Sequence, residues 1–149
     1  MLRKITEIIL HCSATTEGKV VKAATIDKWH RAKGWNGIGY HYVIDLDGTV
    51  ERGRALPVMG AHCVGHNAES IGICYIGGLG IDGKTPKDTR TFRQKVSLLN
   101  LVDDLLRIHK LSINNVHCHY EYANKACPCF KIEAFRKEYT DWKSKLGEK

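Results

Sequence analysis

The sequence predicts a mixed α/β fold in one domain. Three observations carry that prediction. Two short apolar segments, Ile5–His11 and Ile71–Ile76, read as strands. Asp47-Gly48 sits between two strand-like runs and signals a hairpin, since glycine supplies the positive φ such a turn needs. The stretch from Thr91 to Lys110 repeats its apolar residues at helical spacing. A length of 149 residues is one domain's worth of chain, long enough to build a core without staples.

The elements follow in order. Ile5–His11 is the first strand and runs into the polar loop Ser13–Lys19. Thr25–Lys33 is a short helix with Ile26, Trp29 and His30 on one stripe and Gly34 as its stop. Tyr40–Leu46 and Thr49–Arg52 flank the hairpin turn. Ile71–Ile76 is apolar enough to be central and is closed by Gly77-Gly78. Gly80–Asp88 is a polar surface loop. Thr91 then reads as an N-cap with Gln94 at capping-box spacing, opening the longest helix, whose inward residues are Phe92, Val96, Leu99, Val102, Leu105 and Leu106. Asn115–His119 is a short strand. Ile132–Lys145 is a C-terminal helix with Phe135 and Tyr139 inward and its lysines in solvent.

Composition bounds the function. The chain is 43% hydrophobic and 26% charged, which excludes a disordered polymer. Its net charge of +7 favours an anionic partner, either nucleic acid or a polyanionic surface. A nucleic-acid role finds no recognised binding module, and the lysines are spread along the chain. No apolar run approaches the roughly 20 residues of a membrane helix, and Glu7 interrupts anything resembling a secretory signal. The expectation is therefore synthesis in the cytoplasm without membrane insertion. Six cysteines without a signal are better read as metal ligands or buried thiols than as disulfides. Cys12 and Cys74 lie in apolar strands and are expected to be core thiols.

Three places hold metal-type donors: His11 at the end of the first strand, Val116-His117-Cys118-His119, and Lys125-Ala126-Cys127-Pro128. Zinc accepts imidazole nitrogen and thiolate sulfur, and a catalytic zinc keeps three protein ligands and one open position. The eight-residue separation of His119 from Cys127 does not fit a structural zinc ribbon. On a strand, His117 and His119 share a face and Cys118 points the other way, so either histidine, or both, could ligate.

An ordered set of short motifs joins these donors: His11-Cys12-Ser13-Ala14-Thr15, Trp29-His30, Gly34-Trp35, Gly39-Tyr40-His41-Tyr42, Asp47-Gly48-Thr49-Val50-Glu51, Gly53-Arg54, Gly60-Ala61-His62, Asn67, Ser70-Ile71-Gly72-Ile73, Gly77-Gly78, and His119-Tyr120-Glu121 through Lys125-Ala126-Cys127-Pro128. In this order they resemble the type 2 N-acetylmuramoyl-L-alanine amidases, a class that includes small bacteriophage amidases and the peptidoglycan recognition proteins. The resemblance runs from about Ile8 to Phe130. It implies a central mixed β-sheet flanked by helices, with a surface groove holding Zn2+. By position it makes His11, His119 and Cys127 the zinc ligands, Tyr40 and Lys125 the catalytic pair, and His62 a substrate contact in the groove.

The resemblance further implies hydrolysis of the amide between N-acetylmuramic acid and L-alanine in peptidoglycan. The expected protein is a monomeric single amidase domain over residues 1–149, of the prophage endolysin type, acting on the cell wall after release. The alternatives are a peptidoglycan-binding module without catalysis, which would lack a ligand, and a muropeptide-recycling amidase, whose relatives more often carry aspartate as third ligand. Cys118 and Cys129 depart from the family pattern and place two further thiols within reach of the site. Trp35 is read as a core or rim aromatic rather than a sugar platform.

Overall fold

The computed structural model describes residues 3–147. Five strands form the main sheet: β1 (Glu7–Cys12), β3 (Tyr42–Ile44), β4 (Val50–Arg52), β5 (Ser70–Tyr75) and β7 (Val116–Cys118). Their spatial order is β4-β3-β5-β1-β7. The pairs β1–β5, β1–β7 and β3–β5 are parallel, and the hairpin pair β3–β4 is antiparallel, so the sheet is mixed. Two further two-residue strands, β2 (Thr15–Thr16) and β6 (Gly78–Leu79), pair in parallel beside it.

Alternation along the strands sorts side chains onto two faces. Ile8, Leu10 and Cys12 join Ile71, Ile73 and Tyr75 in the larger core. Helices α2 (Phe92–His109) and α3 (Ile132–Gly147) close it with Leu98, Leu99, Val102, Leu105, Leu106, Ile132 and Phe135. The opposite face is covered by α1 (Ala23–Ala32), through a smaller cluster of Val21, Ile26, Ile38, Val43, Cys74 and Ile76. His11 belongs to that second face, in register with Cys74.

The elements differ from the sequence expectations in instructive ways. α1 begins at Ala23 rather than Thr25, because the Glu51 carboxylate accepts the Ala23 N–H at 2.9 Å and caps the helix from outside. Trp29 is not inward; it is 41% exposed while Ile26 and His30 are buried. β3 is shorter than Tyr40–Leu46, since Gly53 and Arg54 donate backbone hydrogen bonds to His41 and Tyr40 outside regular strand pairing. α2 forms as read, with the capping box at Thr91 and Gln94 and a left-handed Lys110 at its C-terminus. Phe92, however, faces solvent. Gln94 takes the buried place and donates from Nε2 to Ile44 O at 3.1 Å and Ile76 O at 3.0 Å, satisfying carbonyls at the ends of β3 and β5. All six cysteines are free thiols, and Cys12 and Cys74 are core residues. Among the described residues, no helix is long and apolar enough to cross a membrane.

His41 is 1% exposed and wedges the hairpin against β5. Its Nδ1 accepts the Gly72 N–H at 3.1 Å, and its Nε2 lies 2.9 Å from both Val58 O and Arg3 Nη2. Burial pushes its pKa down from 6.5 to about 4.

Two expected outcomes follow. Gln94→Ala leaves the buried Ile76 carbonyl without its donor, while Ile44 O keeps the Ile76 N–H, so urea denaturation should show a loss of about 2 kcal/mol. For His41, the unfolded chain takes up a proton below pH 6.5 that the folded chain refuses until about pH 4. Stability on this account is intact above that window and falls by about 3 kcal/mol across it as pH drops. In His41→Gln the fall in denaturation free energy between the two pH values should be smaller by that amount.

Candidate metal centre

Three separate parts of the chain meet at the C-terminal end of β1. His11, 1% exposed, is carried by the strand itself. His119 arrives at the end of β7. The Cys118 N–H donates to Glu121 Oε2 at 2.7 Å, and this bond turns the chain out of the strand into a 3-10 turn at His119–Glu121. Cys127 sits on the loop that follows. Tyr120 N–H donates to Cys127 O at 3.0 Å and the Tyr75 hydroxyl to Pro128 O at 2.7 Å, so the loop is pinned both to the turn and to β5.

His11 Nδ1 and His119 Nδ1 are 3.2 Å apart, and Cys127 Sγ is 3.9 Å from His11 Nδ1. The three donor atoms lie within 4.8 Å of one another and could hold one metal ion. Among the described residues this is the sole group of three or more such donors. The Cys127 sulfur accepts the Cys12 N–H at 3.1 Å, which fixes its position beside His11. Burial lowers the His11 pKa well below its ordinary value, helped by His62, His119 and Lys125; burial and Lys125 lower that of His119. Both rings are therefore neutral at neutral pH and have lone pairs to offer.

Register decides between the two histidines of β7. His117 pairs opposite Ile9, two residues short of His11, and its Nδ1 faces Glu121 Oε1 at 3.3 Å. It stands outside the donor group. The expectation that Cys118 is within reach of the site is corrected: it lies on the α2/α3 face, 0% exposed in the main core. Cys129 lies closer, with its sulfur 3.9 Å from that of Cys12.

Beside the donors runs a groove of about 510 Å3, lined by Trp35, Tyr40, His62, His119, Tyr122 and Lys125 among others. The Tyr40 ring lies 5.0 Å from the His11 ring. Burial raises its phenol well above the ordinary value, with the nearby thiols adding to the effect, so the hydroxyl keeps its proton. Lys125 borders both this groove and a smaller adjoining cleft of about 270 Å3. Trp35, 39% exposed, is a rim aromatic whose ring lies tilted against His30, with ring centres 4.5 Å apart.

His62 is 8% exposed, although it lines the groove. Its Nδ1 is 2.8 Å from His11 Nε2 and its Nε2 is 3.2 Å from Ser70 Oγ. Burial, with His41 as the next cause, drives its pKa down to about 3.

The sequence reading did not find Tyr122 or the loop tip at Val64 as groove residues. Tyr122 is anchored by its hydroxyl to Glu7 Oε1 at 2.8 Å and stacked on His66 at 3.6 Å, contacts between distant segments that no local pattern announces. Val64 is 94% exposed in a loop, and nothing in its sequence surroundings marks it as a groove residue.

Comparison with known proteins gives a consistent result. Residues 1–130 match the family described as N-acetylmuramoyl-L-alanine amidase. The endolysin of Escherichia phage T7 is 40% identical over 126 residues, covering 85% of this chain and 82% of that protein. Peptidoglycan-recognition protein SC2 of Drosophila melanogaster is 29% identical over 136 residues, covering 90% of this chain and 70% of that protein. Among solved structures, the N-acetylmuramoyl-L-alanine amidase LysC from Clostridium intestinale superposes with a TM-score of 0.77 at 26% identity, over 93% of this chain and 87% of that one. The same single-domain arrangement of a mixed central sheet and three helices is thus shared with an amidase, and the chain belongs to the N-acetylmuramoyl-L-alanine amidase family.

Proposed function

We propose that this protein is a zinc-dependent amidase of the endolysin type. It hydrolyses the amide between N-acetylmuramic acid and L-alanine in bacterial peptidoglycan and reaches the wall after release from the cytoplasm. The observation that carries the reading is the convergence of His11, His119 and Cys127 within 4.8 Å. Tetrahedral zinc with bonds of about 2.0–2.1 Å to nitrogen and about 2.3 Å to sulfur needs nitrogen–nitrogen edges of about 3.3 Å and nitrogen–sulfur edges of about 3.6 Å. Two of the edges, at 3.2 and 3.9 Å, lie close to those values, the third pair lies within 4.8 Å, and two imidazoles with one thiolate suit zinc by donor chemistry. When bound there, zinc supplies a Lewis acid and lowers the pKa of a coordinated water to about 7.

The rest of the chemistry belongs to the chain's own side chains. Lys125 places a positive charge on the groove wall, where it favours negative charge developing on the scissile carbonyl oxygen. Tyr40 holds its proton and acts as a hydrogen-bond donor that orients the reacting groups. His62 lies on the groove wall with both ring nitrogens engaged inside the protein, by His11 and Ser70. Trp35 and Tyr122 offer aromatic rims to a glycopeptide. The net charge of +7 suits a wall carrying phosphate and carboxylate groups. All of these groups come from one polypeptide, which suits a monomer working as one amidase domain over residues 1–149; the proposed enzyme acts without membrane insertion, and no helix among the described residues is long and apolar enough to cross a membrane. Helix α3 lies beyond the matched family span, yet Ile132 and Phe135 fill the main core, so it is part of that domain.

The test is mass spectrometry of digested peptidoglycan with and without a chelator. Stem peptides with a free L-alanine amine should appear without chelator and disappear with it; release of reducing sugar would contradict the proposal. His119→Ala and Cys127→Ser should each lose both bound zinc and activity. Lys125→Ala should keep its zinc while kcat falls about 100-fold. If Lys125→Ala strips zinc instead, the electrostatic role given to Lys125 is wrong.

A further inference from the structure

The His62 ring is held by more of the fold than a groove-wall residue needs. A Cβ at Gly72 would lie 2.6 Å from His62 Cδ2, and a Cβ at Gly60 would also lie 2.6 Å from it. Gly39 leaves room for the loop above, since a Cβ there would lie 2.1 Å from Ala61 O. Asn67 Oδ1 accepts the backbone N–H groups of both His62 and Cys63 at 2.9 Å. Three glycines and one asparagine thus press the imidazole flat onto β5, with its two nitrogens directed at His11 and Ser70 and not at the groove.

We infer that His62 is a positioning residue for the metal ligand His11, and that Ser70 sets the state of His62. This rests on the zinc reading of the donor group. A cation on His11 Nδ1 leaves the ring proton on Nε2, 2.8 Å from His62 Nδ1, which must then accept. His62 consequently carries its own proton on Nε2 and donates it to Ser70 Oγ at 3.2 Å. The relay Ser70–His62–His11 fixes the tautomer and the ring plane of the ligand and raises its basicity, as an outer partner does for a ligating imidazole. The role displaces the groove-contact reading of His62: a ring whose nitrogens are both engaged within the protein has none left for substrate.

Zinc affinity, measured by chelator competition on the full-length chain, tests the relay, with the visible spectrum of the cobalt(II)-loaded chain as a second readout. His62→Leu removes the acceptor and should weaken zinc binding about 10- to 100-fold and alter the cobalt spectrum. His62→Asn puts an amide oxygen near the position of Nδ1 and should recover most of that loss. Ser70→Ala should weaken binding by a smaller factor and, as a minimal truncation, decides the matter if His62→Leu does not fold. KM for a soluble muropeptide should stay unchanged in every folded variant. Unchanged zinc affinity in His62→Leu or Ser70→Ala, equal losses in the Leu and Asn variants, or a raised KM with intact affinity would each overturn the inference while leaving the amidase proposal standing. A parent chain that binds no zinc would overturn both.

Discussion

Strand β1 is hydrogen-bonded in parallel on both sides, to β5 through Glu7–Cys12 and to β7 through Ile8–Leu10. Everything at the site depends on that double pairing. Parallel strands end on the same edge of a sheet, so the chain leaving β1 and the chain leaving β7 emerge side by side. The register brings the end of β7 level with Leu10 and the next residue, His119, level with His11. A slip of two residues would offer His117 instead, and a slip of one would turn Cys118 to the site and bury a histidine in the α2/α3 core.

The apolar content of the sheet secures this register. Ile8, Leu10 and Cys12 face a closed core with Val116 and Cys118, so neither edge partner can slide without exposing it or burying polar groups. Of the polar side chains on the second face, His11 and Ser70 are placed by the same alternation, and His62 is laid onto them from the loop before β5. They are dry, neutral and mutually bonded, which is the condition for imidazoles to present lone pairs at fixed positions. Lys125 and the Cys12 N–H bring positive potential to the open side, next to the thiol of Cys127.

Much of this was legible in the residues. The capping box at Thr91 and Gln94, the hairpin at Asp47-Gly48 and the apolar strand at Ile71–Ile76 are local signals, and each element formed where its signal lay. The donors His11, His119 and Cys127 could be named from motif order, but nothing in their spacing showed them meeting, since sequence separation says little about distance across a parallel sheet. What escaped the reading depends on tertiary partners. Glu51 moves the start of α1, Gln94 displaces Phe92 from the core side of α2, and the glycines around His62 acquire meaning only once the ring is seen lying on them. Cys118 illustrates the same limit: one position from a ligand in sequence, it lies on the other side of the sheet.

The claim beneath the whole account is that two imidazoles and one sulfur share a single ion. X-ray absorption at the zinc edge of the zinc-loaded chain measures that donor set directly. The account requires two imidazole nitrogens at about 2.0–2.1 Å, one sulfur at about 2.3 Å and one further light atom. A spectrum with no sulfur shell, or with two sulfurs, would contradict it.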